Sequence, residues 1–243
     1  VLLLRRLVLL LQQVLPPPMR RRQKLRRKTK RRNNFFQFIK SPVPDNFRVG
    51  IFCLFAVVKY LIAGLGNIGP EYELTRHNAG FLTLDRMADT HKIKFETTRL
   101  ADKAELKYKG RQIHFIKPNT YMNLSGKAIA YWLQDLKIPK ENLLVIVDDI
   151  ALPFGSLRMR TKGSPAGHNG LKNIELILGT QEYSRLRFGV GSNFSKGQQV
   201  DFVLGNFSQD EFRDLPAVMD KAGEMVFSFC TLGPERTMSL FNS

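Results

Sequence analysis

Beyond Lys59 the chain alternates apolar runs of strand length with amphipathic stretches of helix length, and this alternation confines it to an α/β fold. The runs suited to strands are 59–63, 105–108, 112–117, 143–147, 157–161 and 187–191. Lys109 and Gly110 fit a tight turn joining the second run to the third, so the sheet is expected to be mixed, although largely parallel. Helices are expected to begin near Asn78, Ser125, Asn169 and Ser208. Ser208 with Glu211 three residues on reads as a capping box ahead of a long helix reaching about Phe229, and Ser125 reads as an N-cap. These elements predict one α/β domain over residues 59–243, with a twisted sheet flanked by helices. In such sheets ligands bind at the C-terminal ends of the strands.

Residues 1–58 have a different character. They carry 14 Lys/Arg against the single acid Asp45, so most of the formal charge of +17 lies ahead of Lys59 and the body is only mildly basic. Like charges packed between Arg20 and Arg32 repel and offer no core, so this extension is expected to be disordered or foreign to the native protein. The reading adopted is upstream sequence translated ahead of a start near Val58 and Lys59. An organelle presequence is the alternative, against which stand a single serine and a single threonine. Two cysteines, Cys53 and Cys230, give no disulfide framework and fit a reducing cytoplasm. The leucine-rich start is split by Arg5 and Arg6, so no run of about 18 apolar residues suggests a membrane span.

The segment from Gly64 to Phe81, GLGNIGPEYELTRHNAGF, follows the first strand and permits two chemistries. Gly64, Gly66 and Gly69 match a dinucleotide-binding fingerprint. In that motif, however, a helix starts inside the glycine turn, and here Pro70 follows at once while Asp85 and Asp89 lie on a helical pattern. The glycines are better read as bending the chain at a strand end to aim Asn67 into a cleft. His77, between Arg76 and Asn78, then stands where a hydrolase keeps a general base.

Other chemistries drop out. No serine has the G-x-S-x-G setting, Cys230 sits in an apolar helical stretch, and no H-E-x-x-H or Cys/His cluster suggests a metal. His91 and His114 read as surface or partly buried imidazoles. What remains is histidine acting on water, oriented by a carboxylate that Asp148 or Asp149, ending the fourth strand, is able to supply. Asn67, Asn123 and Asn169, in loops beside glycines or at helix starts, are suited to holding a substrate and an oxyanion without adding charge.

GLGNIGPEYELTRHNAGF, KPNTYMNLSGKA, VDDIALPFGSLRMR, KGSPAGHNGLKNI and RLRFGVG with FVLGNF together resemble bacterial-type peptidyl-tRNA hydrolase, in order from Lys59 nearly to the C-terminus. The resemblance implies hydrolysis of the ester joining a peptide to the 3′ ribose of tRNA, by a monomeric cytoplasmic enzyme with no metal or organic cofactor. It implies His77 as the base, Asp148 as its orienting carboxylate, and Asn67 and Asn169 as the other catalytic groups. Tyr72, Tyr121, Asn123 and His168 correspond to substrate-binding positions, and Arg158, Arg160, Lys162 and Arg187 to contacts with tRNA phosphates. Ile68 stands where proline is common, Asp149 where glutamate is common and Tyr121 where phenylalanine is common, and Pro165–Ala166 interrupts a glycine-rich loop. The alternative within the same fold is a non-catalytic RNA-binding protein of the organelle splicing-factor type.

Overall fold

The computed structural model describes residues 57–242. The extension expected over residues 1–58 therefore lies outside the described residues, except for Val57 and Val58, and Cys53 lies outside them too.

Seven strands form one mixed sheet: β1 (Val58–Gly64), β2 (Glu96–Thr97), β3 (Ala101–Tyr108), β4 (Arg111–Pro118), β5 (Leu143–Asp149), β6 (Leu157–Arg160) and β7 (Ser184–Gly189). Their order across the sheet is β2-β3-β4-β1-β5-β7-β6. The central four, β4, β1, β5 and β7, run parallel, while β2, β3 and β6 pair antiparallel at the margins. Lys109 and Gly110 join β3 to β4 with φ of 44° and 76°, the left-handed pair that a two-residue hairpin turn of this twist requires.

Six α-helices complete the described fold: α1 (Ala79–His91), α2 (Ser125–Asp135), α3 (Asn169–Leu178), α4 (Gln199–Leu204), α5 (Gln209–Leu232) and α6 (Pro234–Phe241). The period-two alternation of the strands divides the core between two faces. Ile62, Leu144, Ile146, Leu186 and Phe188 point to one, where α1 brings Leu84 and Met87 and α5 brings Met219, Ala222, Val226 and Phe229. Leu61, Ala63, Leu143, Val145 and Val147 point to the other, against Ile129 and Trp132 of α2 and Leu171 and Ile174 of α3. The helical residues recur at spacings of three and four, so each helix turns one stripe to the sheet, and each fully buried Leu or Ile stabilises the fold by about 1.5–3 kcal/mol.

Several boundaries differ from expectation for identifiable reasons. β7 starts three residues earlier than the apolar run, because Ser184 and Arg185 occupy buried strand positions that sequence alone marks as polar. Ser125 does not cap α2. It is the first helical residue, and its hydroxyl donates to the Met122 carbonyl at 2.9 Å. The capping box of Ser208 and Glu211 is formed at the head of α5. β2, α4 and α6 had no counterpart in the pattern of apolar runs.

The first helix reaches the sheet through two glycines. A Cβ on Gly80 would stand 2.4 Å from Leu65 N and 2.7 Å from the Ile146 carbonyl, and one on Gly64 would stand 2.5 Å from the Gly80 carbonyl. Close approach between the end of β1 and the start of α1, more than a sharp bend at Gly64, explains these residues, for neither takes a positive φ.

Candidate active site

The parallel strands β1, β4 and β5 end on one edge of the sheet, and the segments that follow them converge on a cleft of about 720 Å³. Its wall includes Asn67, His77, Tyr121, Asn123, Asp148, His168 and Asn169, residues spread over a hundred positions of sequence.

Asp148 is at the centre. Alternation along β5 turns its side chain to the same face as Leu144 and Ile146, the face covered by α1. The one-turn helix Arg76–Asn78, which leads directly into α1, delivers His77 there. His77 Nδ1 donates to Asp148 Oδ1 at 2.9 Å. Asp149 points to the opposite face, where Val147 lies beside Arg187 in the register of β5 with β7, and it is paired with the Arg187 guanidinium. Of the two carboxylates that sequence left open, Asp148 is the one that meets the histidine.

A second imidazole completes the arrangement. His168 Nε2 lies 3.0 Å from the same Asp148 Oδ1, while His168 Nδ1 accepts from the backbone N–H groups of Gly170 and Leu171 and so caps α3. Accepting at Nδ1 places the His168 proton on Nε2, where it is donated to the carboxylate. Both ring nitrogens of His168 are thus engaged within the protein. The two rings lie 4.8 Å apart.

Asp148 is 5% exposed. Burial alone would raise its pKa, but His77 and His168 outweigh that and hold the carboxyl well below the usual carboxylate range. For His77 burial opposes the charged form, yet the charge and hydrogen bond of Asp148 win, and its pKa is raised above 6.5. With Nδ1 bound to Asp148, His77 Nε2 is the nitrogen open to the cleft. His77, Asp148 and His168 place one ligand-type atom each within 4.8 Å, the one such grouping among the described residues. Two N–H donors already fill that carboxylate oxygen, so a cation there would have to displace two protons.

Asn67 is held on both sides. The buried Asn78 side chain accepts from Asn67 N at 2.7 Å and donates to the Asn67 carbonyl at 3.0 Å, as a strand would. Asn67 Oδ1 accepts from Met122 N at 3.1 Å, which turns the Nδ2 donors toward the cleft. Asn123, on the one-turn helix Met122–Leu124, and Asn169, the first residue of α3, line the cavity with exposed side chains, and Tyr121 is 62% exposed in its wall.

Of the four expected phosphate-binding cations, Arg160, Lys162 and Arg187 line the cleft. Arg158 stands two residues before Arg160 on the exposed side of β6, outside the wall. Tyr72 is also outside it, on the one-turn helix Pro70–Tyr72, where its carbonyl accepts from Thr75. His114, read as a surface or partly buried imidazole, is more deeply placed: it is 2% exposed on β4, with Glu105 opposite it on β3. Cys230 is buried, and burial pushes its thiol pKa up, so it is no nucleophile.

Arg185 is a cleft residue that sequence reading missed. It is buried, donates to the carbonyls of Ser164 at 3.0 Å and Gln181 at 3.3 Å, and faces Glu175 of α3 at 3.5 Å, thereby anchoring the loop that leads to His168. An arginine beside a serine, ahead of the apolar run, gave no signal of that role.

The sequence profile of the peptidyl-tRNA hydrolase family matches residues 61–243. The chain is 54% identical over 185 residues to the peptidyl-tRNA hydrolase of Bacteroides fragilis and 56% identical over 186 residues to that of Cytophaga hutchinsonii, each alignment covering 76% of this chain and 99% of the relative. The fold matches the crystal structure of peptidyl-tRNA hydrolase from Acinetobacter baumannii with a TM-score of 0.71 at 31% identity, over 76% of this chain and 94% of that one. With its α/β sheet and the expected blocks folded into one cleft, the chain belongs to the peptidyl-tRNA hydrolase family.

Proposed function

We propose that this protein hydrolyses the ester between a peptide and the 3′ ribose of tRNA in peptidyl-tRNA, with His77 as the general base. The observation that carries the reading is Asp148, whose single oxygen receives both His77 Nδ1–H and His168 Nε2–H and leaves His77 Nε2 open in the cleft.

In this reading His77 Nε2 takes a proton from water as the water oxygen attacks the ester carbonyl carbon. The carbonyl electrons move to oxygen, where the Nδ2 donors of Asn67 and the amide of Asn169 stabilise the anion without a charged partner. Collapse re-forms the carbonyl and breaks its bond to the ribose oxygen, which receives the proton back from His77. Asp148 holds the tautomer throughout and stabilises the imidazolium. Arg160, Lys162 and Arg187 give the cleft a cationic side suited to phosphates, while Tyr121 and Asn123 border the ester region.

The deciding experiment is turnover of a purified N-acyl-aminoacyl-tRNA by the wild type and by His77→Ala. A loss of about 10²–10⁴ in kcat is expected for the variant. Equal rates would remove His77 from the mechanism, and an inactive wild type would favour an RNA-binding protein instead. The reading takes the enzyme to act as a monomer, and light scattering of the purified protein at assay concentration tests that. The reading places the enzyme in the cytoplasm, and among the described residues no helix is long and apolar enough to cross a membrane.

A further inference from the structure

Helix α4 forms one wall of the cleft through Val200, Val203 and Leu204. At six residues it is too short to be stable by itself, and none of its residues is buried. Its position must be imposed from outside, and the imposing residue is the neighbour of His77.

Arg76 holds this wall at several points. Its Nη1 donates to the Asn206 carbonyl at 2.6 Å and lies 3.4 Å from the carbonyls of Phe202 and Gly205, so a cation meets the negative end of α4. Its guanidinium carbon is 4.3 Å from the centre of the Phe202 ring. Nη2 donates at 2.7 Å to Glu211 Oε2, the same oxygen that accepts from Ser208 N at the head of α5. The main chain adds Arg76 N donating to the Gly205 carbonyl at 3.1 Å and a β-bridge between Thr75 and Asn206. Only a planar fork reaches these acceptors together, which a lysine ammonium cannot imitate.

We propose that Arg76 is a positioning residue: it locks the apolar α4 wall to the turn carrying His77, so that a substrate's acyl group is held in register with the base. Val200 is 64% and Leu204 36% exposed. Aliphatic side chains left open in a cleft suit the apolar side chains of a peptide better than nucleobases, which stack on aromatic rings. The kinetic part of the proposal rests on the hydrolase reading above, and the structural part does not.

The test pairs hydrogen exchange with kinetics. In Arg76→Lys, amides of residues 199–206 are expected to exchange about tenfold faster while those of β1 and β5 keep their protection. With an N-acyl-aminoacyl-tRNA bearing a bulky apolar acyl group, KM should rise about five- to tenfold, with kcat within about twofold and its pH inflection unmoved. Val200→Ser should raise KM about threefold in the wild type but hardly at all in Arg76→Lys, because both act through one wall. Unchanged exchange over 199–206, multiplicative KM effects, or a fall in kcat at constant KM would each overturn the proposal. Should Arg76→Lys fail to fold, Glu211→Gln, which removes the charge facing Nη2 while keeping an oxygen for Ser208 N, is expected to loosen the same segment less strongly, and no loosening there overturns the proposal equally. Absence of turnover by the wild type would count against the hydrolase reading, and exchange alone would then decide the role of Arg76.

Discussion

Two imidazole N–H groups on one oxygen of Asp148 restrict the protonation states in which the site works. His77 must be neutral to accept a proton, yet Asp148 favours its charged form and raises its pKa above 6.5. A histidine raised in this way adds stability that is complete below its unfolded pKa and is lost as pH climbs through the folded value. Activity should appear over the same interval, so the enzyme gains its base where it gives up the stabilisation of the ion pair. The pH profile of kcat/KM for the wild type is therefore expected to inflect above 6.5. Asp148→Asn should move the inflection down and lower kcat by about 10²–10⁴, since the tautomer and the imidazolium both lose their support. A wild-type inflection below 6.5, or a variant inflection that does not move, would contradict the relay. The place of His77 in the cleft was legible because a histidine in an Arg-His-Asn step after a strand has few structural duties to compete for it. The roles of Asn78 and His168 were less legible, since clamping the Asn67 backbone and capping α3 while donating to Asp148 depend on contacts that only the folded chain creates.

Among the elements, the contact of α1 with the sheet sets the reach of His77. Substituting Gly80 by alanine offers a gain in helix propensity of about 1 kcal/mol at most. Against it stands a methyl group placed 2.4–2.7 Å from backbone atoms of Leu65 and Ile146, which belong to the packed sheet and its first loop and cannot swing aside. Overpacking of this kind costs about 1–3 kcal/mol or more, so the clash wins. Gly80→Ala is expected to unfold at lower urea, and, because α1 must back away from β1 and β5, to lose kcat as His77 retreats from Asp148. An equally stable variant with normal kcat would show that the close approach is dispensable. The central strands were legible because β1 and β5 carry unbroken apolar runs and β4 keeps Ile113, Phe115 and Ile116 around a single histidine, the composition of strands buried on both faces. The start of β7 was not, because Arg185 is buried against the carbonyls of Ser164 and Gln181 and the Glu175 carboxylate, contacts that the pattern of apolar residues does not announce. Nor was α4, whose place comes from Arg76 more than from its own composition.

For the whole molecule, the distribution of charge matters more than its total. Much of the excess lies in residues 1–56, outside the described structure, so the cleft has to be judged by its own cations. Arg187 and Asp149 form a pair on the sheet, and removing Arg187 would leave a partly buried carboxylate uncompensated, mixing a binding effect with a structural one. Arg160 has no ion pair among the described residues and projects from the exposed side of β6 into the cleft wall, which makes it the cleaner probe. Arg160→Gln is expected to raise KM for a full-length tRNA substrate by about three- to tenfold and leave kcat nearly unchanged, since a phosphate contact positions the substrate without touching the reacting bond. Neutralising one phosphate contact should also flatten the slope of log KM against log salt by about 0.7–0.9. For an acylated fragment that retains only the 3′ terminal nucleoside and no phosphate, KM should be the same in both enzymes. An equal rise in KM for fragment and full tRNA would place Arg160 at the ester instead of the nucleic acid, and a fall in kcat at unchanged KM would remove it from phosphate binding altogether.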